Sequence, residues 1–293
     1  MNILTFSFSP HFKNRKTVSS MMLDVIIALL PAVAAAVVFY KTRALLLILV
    51  CVMFAVLTEA IFYWLRKKPQ SVSDYSSIIT GILFSLTLPV TVPLWIAIAG
   101  VIFAVLVGKL LFGGLGYNLF NPALIGRAFI QISWLKELSI ADIYAKLLID
   151  SEPVNLKIIL NDMLVSSYPV CLGDVSKICI IAGAAYLLYR KHISLNAPIA
   201  YITVFILASI IYGQHNYYFL LPGALVLGAL FMATDPVTTP VSGLGKLYFG
   251  ICCGIITFSV SSKLAYPQAV FFTILMANMF TPLIDKISRL KRY

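Results

Sequence analysis

Long apolar segments separated by short polar ones run through almost the whole of this chain. Of its 293 residues, 61% are hydrophobic and only 11% are charged, whereas a soluble domain of this length needs far more charge on its surface. A lipid bilayer offers backbone N–H and C=O groups no hydrogen-bond partner, so an apolar segment that crosses it folds as a helix. We therefore predict an all-α polytopic membrane protein.

Ten segments are candidates for membrane-spanning helices. Six of them are clear candidates near the length of about 20 residues that spans the hydrocarbon core, and four are shorter or are interrupted by Pro, Gly or polar residues. The clear candidates are 21–40, 44–64, 93–112, 197–212, 246–263 and 267–285. The shorter or interrupted segments are 77–88, 122–134, 175–190 and 217–233.

Basic residues indicate which membrane face is cytoplasmic, because Lys and Arg near the ends of spans remain on that face. With a cytoplasmic N-terminus, four basic clusters lie inside, and the loop 135–174 lies outside with three lysines against six carboxylates. Both termini are therefore predicted to be cytoplasmic. The net charge of +11 reflects topology and contact with the lipid bilayer, and nucleic-acid binding is not predicted. The clusters are Lys13, Arg15 and Lys16; Arg66, Lys67 and Lys68; Arg190 and Lys191; and Lys286, Arg289, Lys291 and Arg292.

One motif occurs twice in the chain. Residues 81–93 read GILFSLTLPVTVP and residues 228–240 read GALFMATDPVTTP, so Gly, Thr and Pro recur at identical spacing. Five predicted spans precede the long loop and five follow it, and an odd number of crossings makes the second unit enter the membrane from the opposite side. We predict two inverted five-span repeats with broken helices. The predicted divisions are a cytoplasmic segment 1–20, a first repeat 21–134, an outer loop 135–174, a second repeat 175–285 and a basic cytoplasmic tail 286–293.

Paired helix interruptions in two halves of a membrane protein point to a binding site near the midplane. The stretch GGLGYNLFNP (113–122) would end one span and begin a half-helix whose free N–H groups attract an anionic or electron-rich group. Arg127 follows in that half-helix. A charge at membrane depth has two interpretations. Either Arg127 has a functional role, or it is a structural partner of backbone carbonyls or of a carboxylate in a neighbouring subunit. The candidate cofactor-binding residues are Asn118, Asn121, Arg127, Thr234, Asp235 and Asn278.

Carboxylates at membrane depth are a second group of candidates. Asp235 stands in the second motif copy where Leu88 stands in the first. Three roles are open for it: it holds a cation, it accepts a hydrogen bond from a ring system, or it caps a turn. Glu59 and Asp24 are candidates for an ion pathway. No catalytic residue and no metal site is predicted, because neither the five cysteines nor the three histidines have metal-site spacing. The histidines are His11, His192 and His215.

Four stretches in a fixed order carry a resemblance to a known family: SPHFKNRKTVSSMMLDVIIALLPA (9–32), GGLGYNLFNPALIGRAF (113–129), LGALFMATDPVTTPVSGLGKLYFG (227–250) and YPQAVFFTILMANMFTPLID (266–285). They closely resemble the RnfD subunits of Rnf complexes, which are ion-translocating ferredoxin:NAD oxidoreductases. They are less similar to the B subunit of the sodium-translocating NADH:quinone oxidoreductase. The resemblance implies a ten-span electron-transport subunit of a bacterial or archaeal cytoplasmic membrane. Such a subunit belongs to a multi-subunit translocase, with other Rnf-type membrane and peripheral redox subunits as partners.

The resemblance also implies a flavin, and here the sequence departs from the family. Members of the family hold FMN by a phosphoester to a threonine of an SGAT-like motif in the outer loop, and relatives also bind riboflavin. This chain has no threonine between Thr91 and Thr203, although CLGDVSK (171–177) resembles the stretch that follows the flavin loop. The loop serines lack the required context, so covalent FMN attachment is not predicted. They are Ser139, Ser151, Ser166 and Ser167.

Three consequences of the missing threonine remain open. Flavin binds without a covalent bond, or the electron path bypasses this subunit, or the chain serves as a scaffold for redox subunits around it. The first function hypothesis is a subunit that couples ferredoxin/NAD redox chemistry to Na⁺ or H⁺ translocation, with flavin bound non-covalently or lost. The alternative is a channel or secondary transporter, because inverted repeats with broken helices suit solute passage equally well.

Overall fold

The described part of the chain is helical. The computed structural model describes residues 17–67, 74–138, 161, 164–166, 169–212, 223–261 and 266–290, and it contains no strand within these ranges. Three helices are long and apolar enough to cross a membrane, and five shorter apolar helices accompany them. The prediction of an all-α polytopic membrane protein is confirmed.

Helices overlap all ten of the predicted apolar segments. The first helix, α1, covers two of these segments, 21–40 and 44–64, and two other helices continue into short π-helical stretches. The helices are α1 Val18–Leu65, α2 Ser76–Leu86, α3 Leu94–Val105, α4 Pro122–Ser133, α5 Lys177–Tyr189, α6 Asn196–Ile211, α7 Gly223–Leu227, α8 Gly243–Ser261 and α9 Tyr266–Leu290. The π-helical stretches are Leu106–Leu110 after α3 and Gly228–Met232 after α7, and a 3₁₀ turn at Leu172–Asp174 precedes α5.

The backbone of α1 breaks at Lys41, between the two predicted spans. Lys41 has φ 51° and ψ −134°, a backbone conformation that residues other than glycine rarely adopt. Arg43 follows the break, and its guanidinium donates to the carbonyl oxygens of Val90 at 3.3 Å and Val92 at 2.6 Å. The break therefore brings a cation to the free carbonyls of the first motif copy.

The two motif copies end their helices in the same way. Helix α2 ends at Leu86 and the π-helical stretch after α7 ends at Met232, in each case a few residues before a proline. The hydroxyl of Thr87 donates to the Phe84 carbonyl at 2.6 Å, and the hydroxyl of Thr234 donates to the Leu230 carbonyl at 2.6 Å. The repeated threonine thus satisfies a carbonyl near the end of each interrupted helix.

Corresponding helices of the two predicted repeats make similar contacts. Helix α3 packs on α4 as α8 packs on α9, and α2 contacts α4 as α7 contacts α9. The two halves meet where α1 packs against α5 and where α4 packs against α9. The number of membrane crossings, the inverted repeat and the limits of the predicted divisions stay predictions. Helix α9 continues to Leu290, beyond the predicted start of the basic tail at residue 286.

The contact between α1 and α5 depends on a small residue. Gly183 of α5 lies so close to α1 that a Cβ atom at this position would be 1.9 Å from the carbonyl oxygen of Ala28. Close backbone approach at glycine is a common way for membrane helices to associate, because lipid provides no hydrophobic force between them.

We expect Gly183→Leu to destabilise the chain by at least about 1–3 kcal/mol, since the added side chain overpacks a backbone contact that joins the two halves. Thermal unfolding in detergent measures this change. The matched control is Ala185→Leu, because Ala185 is exposed on the same helix and should leave the midpoint nearly unchanged. Equal midpoints for the two variants would contradict the prediction.

Candidate functional site

A cavity of about 910 Å³, its open mouth included, lies where the starts of α1, α2 and α4 meet the segments that follow α3, α5 and α7. A concave, mostly apolar space with a few polar side chains is the usual form of a small-molecule or cofactor site. Most of the lining residues are apolar, and we call this space the polar cavity for the polar side chains that reach it. They are Ser76, Thr80, Lys109, Asn118, Asn121, His192, Thr234 and Asp235.

Four of the six predicted cofactor-binding residues meet at this cavity. Asn118 and Asn121 come from the segment before α4, and Thr234 and Asp235 come from the second motif copy. The structure therefore joins the helix interruption of the first half to the interruption of the second half. Arg127 lies elsewhere, in a separate space between α4 and α9.

Glycines and asparagines shape the wall before α4. Three glycines of the segment 113–116 have positive φ angles of 117°, 104° and 90°, which glycine adopts without strain. The Asn118 amide donates to the Phe120 carbonyl at 3.0 Å, and the Asn121 side-chain oxygen accepts the Ala123 N–H at 3.0 Å. Since Asn121 caps α4 and Pro122 is its first residue, the predicted half-helix begins at the cavity.

Asn278 supports this wall from α9. With its amide oxygen turned towards α4, it accepts the Asn121 N–H at 3.3 Å, and its amide nitrogen donates to the Ile274 carbonyl at 3.3 Å. Asn278 is almost fully buried. The residue thus holds the start of α4 against α9 and lies next to a cavity residue.

Asp235 caps a turn and also lines the cavity. One carboxylate oxygen accepts the Val237 N–H and the other accepts the Thr238 hydroxyl, both at 3.2 Å. The capping interpretation therefore agrees with the structure.

A buried ion pair forms one side of the polar cavity. The Nζ atom of Lys109 lies 2.7 Å from Oε1 of Glu59, and the exposed fractions of the two side chains are 2% and 0%. Ser77 donates to the other oxygen of Glu59, and Lys109 donates to the Ser76 hydroxyl. Asp74 completes the network, because it accepts the Ser76 hydroxyl at 2.6 Å and lies 3.9 Å from Lys109.

Sequence reasoning identifies Glu59 but misses Lys109. A signal is present, since Lys109 interrupts an otherwise apolar predicted span and has the opposite charge to Glu59. Lys109 belongs to the π-helical stretch after α3, and Phe231 belongs to the one after α7. Both residues line the cavity. Such π-helical insertions often mark functional sites, and here each of the two contributes a residue to the cavity wall.

A second group of charges lies around Asp24. Its carboxylate accepts a hydrogen bond from the Tyr186 hydroxyl at 2.7 Å and another from Nε of Arg190 at 3.0 Å. The same carboxylate lies 2.6 Å from Nε2 of His192. His192 also lines the polar cavity. Sequence reasoning treats this histidine as isolated, because its partner is distant in the chain. His11 and His215 lie outside the described residues.

The segment CLGDVSK packs beneath the first motif copy. The N–H of Leu172 donates to the Leu88 carbonyl at 2.9 Å, and the N–H of Ser166 donates to the Val175 carbonyl at 2.7 Å. Ser139, Ser151 and Ser167 lie outside the described residues. The prediction that covalent FMN attachment is lost stays a prediction.

We expect Lys109→Met to destabilise the protein by about 3–5 kcal/mol, because it leaves the Glu59 carboxylate buried without its cation. The double variant Glu59→Gln/Lys109→Met should recover most of this loss, and Lys191→Met, at an exposed lysine, should have little effect. Thermal unfolding of the purified chain measures all three. A double variant no more stable than Lys109→Met would show that the pair does not control stability.

Comparisons with known proteins cover nearly the whole chain. The model of the NQR2, RnfD, RnfE family matches residues 5–293. The D subunit of the Na(+)-translocating ferredoxin:NAD(+) oxidoreductase complex of Acetobacterium woodii is 35% identical, over 99% of this chain and 95% of the relative. The D subunit of the proton-translocating ferredoxin:NAD(+) oxidoreductase complex of Clostridium ljungdahlii is 33% identical, over 98% of this chain and 95% of the relative. The D subunit of the ion-translocating oxidoreductase complex of Salmonella paratyphi A is 29% identical, over 99% of this chain and 98% of the relative. With the resemblance thus confirmed over almost its full length, the chain belongs to the NQR2, RnfD, RnfE family.

Proposed function

We propose that this chain is a membrane subunit of an Rnf-type complex that couples ferredoxin/NAD redox chemistry to translocation of Na⁺ or H⁺. Relatives that share almost the full length of the chain bear names of subunits of such complexes. Other Rnf-type membrane and peripheral redox subunits are therefore the partners. On the predicted topology, both termini are cytoplasmic and the polar cavity opens towards the cytoplasm.

The observation that carries the redox part of the proposal is the meeting of both helix interruptions at one cavity. Asn118 and Asn121 from the first half and Thr234 and Asp235 from the second line this space. Carboxamide, hydroxyl and carboxylate groups complement the carbonyl and N–H edge of a flavin ring, and the apolar residues between them suit its faces. A flavin, when bound, supplies both one-electron and two-electron chemistry. Arg127 is not part of this set.

The bound flavin is held without a covalent bond. The residues of the cavity offer shape and hydrogen bonds, and the chain has no threonine between Thr91 and Thr203 to carry a phosphoester. Among the described lining residues, Lys109 and His192 already face carboxylates. A flavin without a phosphate, such as riboflavin, therefore fits the charges of the cavity better than FMN.

Two carboxylates are placed to connect the cavity to ion movement. Glu59 is joined to the cavity through Lys109, and Asp24 is joined to it through His192. A negative charge in the cavity attracts Lys109 and weakens its pair with Glu59. Glu59 is then free to take up Na⁺ or H⁺. The two relatives named as Na⁺-translocating and proton-translocating are 35% and 33% identical to this chain, so overall similarity does not favour either ion.

We expect the purified complex to contain a flavin in this chain that acid denaturation releases and that gives no fluorescent band in a denaturing gel. Thr234→Val should lower the flavin content per chain, because it removes a hydroxyl from the cavity. Thr203→Val is the matched control, since Thr203 is exposed on α6. Visible absorbance measures the content in each variant.

Absence of flavin from this chain in an intact, active complex would show that this subunit is not an electron carrier. Flux of a solute through the isolated chain in liposomes, independent of ferredoxin and NAD, would favour the channel or transporter instead. Equal flavin loss in Thr234→Val and Thr203→Val would place the flavin outside the polar cavity.

We expect the double variant Glu59→Gln/Lys109→Met to retain flavin and electron transfer but to lose most of its ion translocation, because the carboxylate that takes up the ion is gone. Uptake of radioactive Na⁺ and acidification of inverted membrane vesicles, each with the matching ionophore as control, measure the loss and identify the ion. Coupled translocation at the wild-type rate would remove Glu59 from the ion pathway.

A further inference from the structure

A second polar cluster lies between α4 and α9, away from the polar cavity. Arg127 and Gln131 are one turn apart on α4, and Gln268 and Thr273 belong to α9. Arg127, Gln131 and Gln268 line a narrow gap that is otherwise enclosed by aliphatic and aromatic side chains and that, as the side chains stand, has no room for a water-sized sphere. The exposed fractions of the four polar residues lie between 0% and 9%. We call these four residues the α4–α9 cluster.

Most polar atoms of the cluster lack a hydrogen-bond partner. Nε and Nη1 of Arg127, both side-chain polar atoms of Gln131 and the hydroxyl of Thr273 are buried and make no hydrogen bond. Each such atom costs about 1–3 kcal/mol, and more when the group is charged. Native proteins seldom leave several such atoms together. Four of these atoms belong to Arg127 and Gln131, which line the same small space, and their concentration there indicates a ligand.

The charge of Arg127 is not balanced by the residues around it. No ion pair of the described residues includes Arg127. The Cys171 thiol interacts with it electrostatically, but burial raises the pKa of Cys171, so this thiol stays neutral. Asp174 instead accepts the Val170 N–H at 3.2 Å. A buried cation without a counter-charge is costly in a medium of low dielectric constant.

The cluster lies well away from the polar cavity along α4. At 1.5 Å per residue, Arg127 is about 9 Å and Gln131 about 15 Å from Asn121 along the helix axis. On α9, Gln268 is similarly about 15 Å from Asn278, the residue that contacts Asn121. The cluster therefore belongs to a site separate from the polar cavity.

We propose that the α4–α9 cluster binds a small monovalent anion, such as chloride, bromide or formate, through the Arg127 guanidinium and the amide N–H groups of Gln131 and Gln268. This gap is far too small for a flavin, and it admits a small anion only when the surrounding side chains move apart. A small anion enters it without its hydration shell, and the flexible glutamine side chains turn their N–H groups towards the anion to make room for it. The anion neutralises Arg127 where the two halves of the chain meet.

The test measures thermal unfolding of the purified complex, first in sodium gluconate and then during titration with sodium bromide at constant ionic strength. Bromide at about 100 times its dissociation constant should raise the midpoint of the wild type by several degrees, because a ligand that binds only the folded state stabilises it. Arg127→Gln should abolish the rise. Lys136→Gln, at an exposed lysine just beyond α4, should keep it.

A second variant covers the case in which Arg127→Gln fails to fold. Gln131→Ala keeps the charge and removes one donor, so it should weaken bromide binding by roughly tenfold, as the loss of a hydrogen bond to a charged group does. A wild-type midpoint that does not respond to bromide would overturn the proposal. So would a response shared equally by Arg127→Gln and Lys136→Gln. A response of the isolated chain that vanishes in the complex would identify a partner carboxylate as the occupant instead. None of these outcomes depends on whether the polar cavity binds flavin.

Discussion

The structure depends on one constraint, which is that a helix interrupted inside a bilayer must find new partners for the backbone groups it frees. In this chain the interruptions are closed by specific side chains. Thr87 and Thr234 each donate to a carbonyl near the end of a broken helix, Asn121 caps the start of α4, and Arg43 serves the carbonyls of the first motif copy. Polar side chains at these positions bring polarity to membrane depth, and two of the three interruptions meet at the same cavity. The motif that ends a helix is therefore also a motif that builds a site.

Two buried carboxylates, Glu59 and Asp24, follow a similar rule, whereas the buried Arg127 does not. Glu59 is neutralised by Lys109, and Asp24 by Arg190 with support from Tyr186 and His192. Each group contacts the polar cavity through one member, so the charge state of the cavity and that of the two carboxylates are linked by Coulomb interaction over short distances. Arg127 is the exception, since its guanidinium lies in an enclosed space without a carboxylate among the described residues. A charge that the fold does not neutralise is the kind of group for which a ligand is expected.

The local sequence pattern predicts the helices and four of the eight polar residues that line the polar cavity. It does not predict contacts between residues that are distant in the chain. Apolar segments with Pro and Gly at their ends are local signals, and each predicted segment overlaps a helix. The partnership of Lys109 with Glu59 and of His192 with Asp24 depends on helix packing, which a single sequence does not reveal. The sequence-based prediction groups Arg127 with the cavity residues because it shares a half-helix with Asn121. Six residues at about 100° each place it about 240° around the helix axis, on a different face, and a stricter use of helical periodicity separates the two.

The position of the ion pair suggests why relatives with nearly equal similarity can be named for different ions. The broken helices and their caps set the backbone and the cavity. If Glu59 takes up the ion, as we propose, the choice between Na⁺ and H⁺ depends on whether the freed carboxylate keeps enough oxygen ligands around it. Near Glu59 the available oxygens are the hydroxyls of Ser76 and Ser77 and the carboxylate of Asp74. Oxygen ligands of this kind suit a dehydrated alkali cation, while a proton needs only the carboxylate itself. On that proposal, ion selectivity is expected to reside in the few side chains around Glu59, and not in the caps of the broken helices.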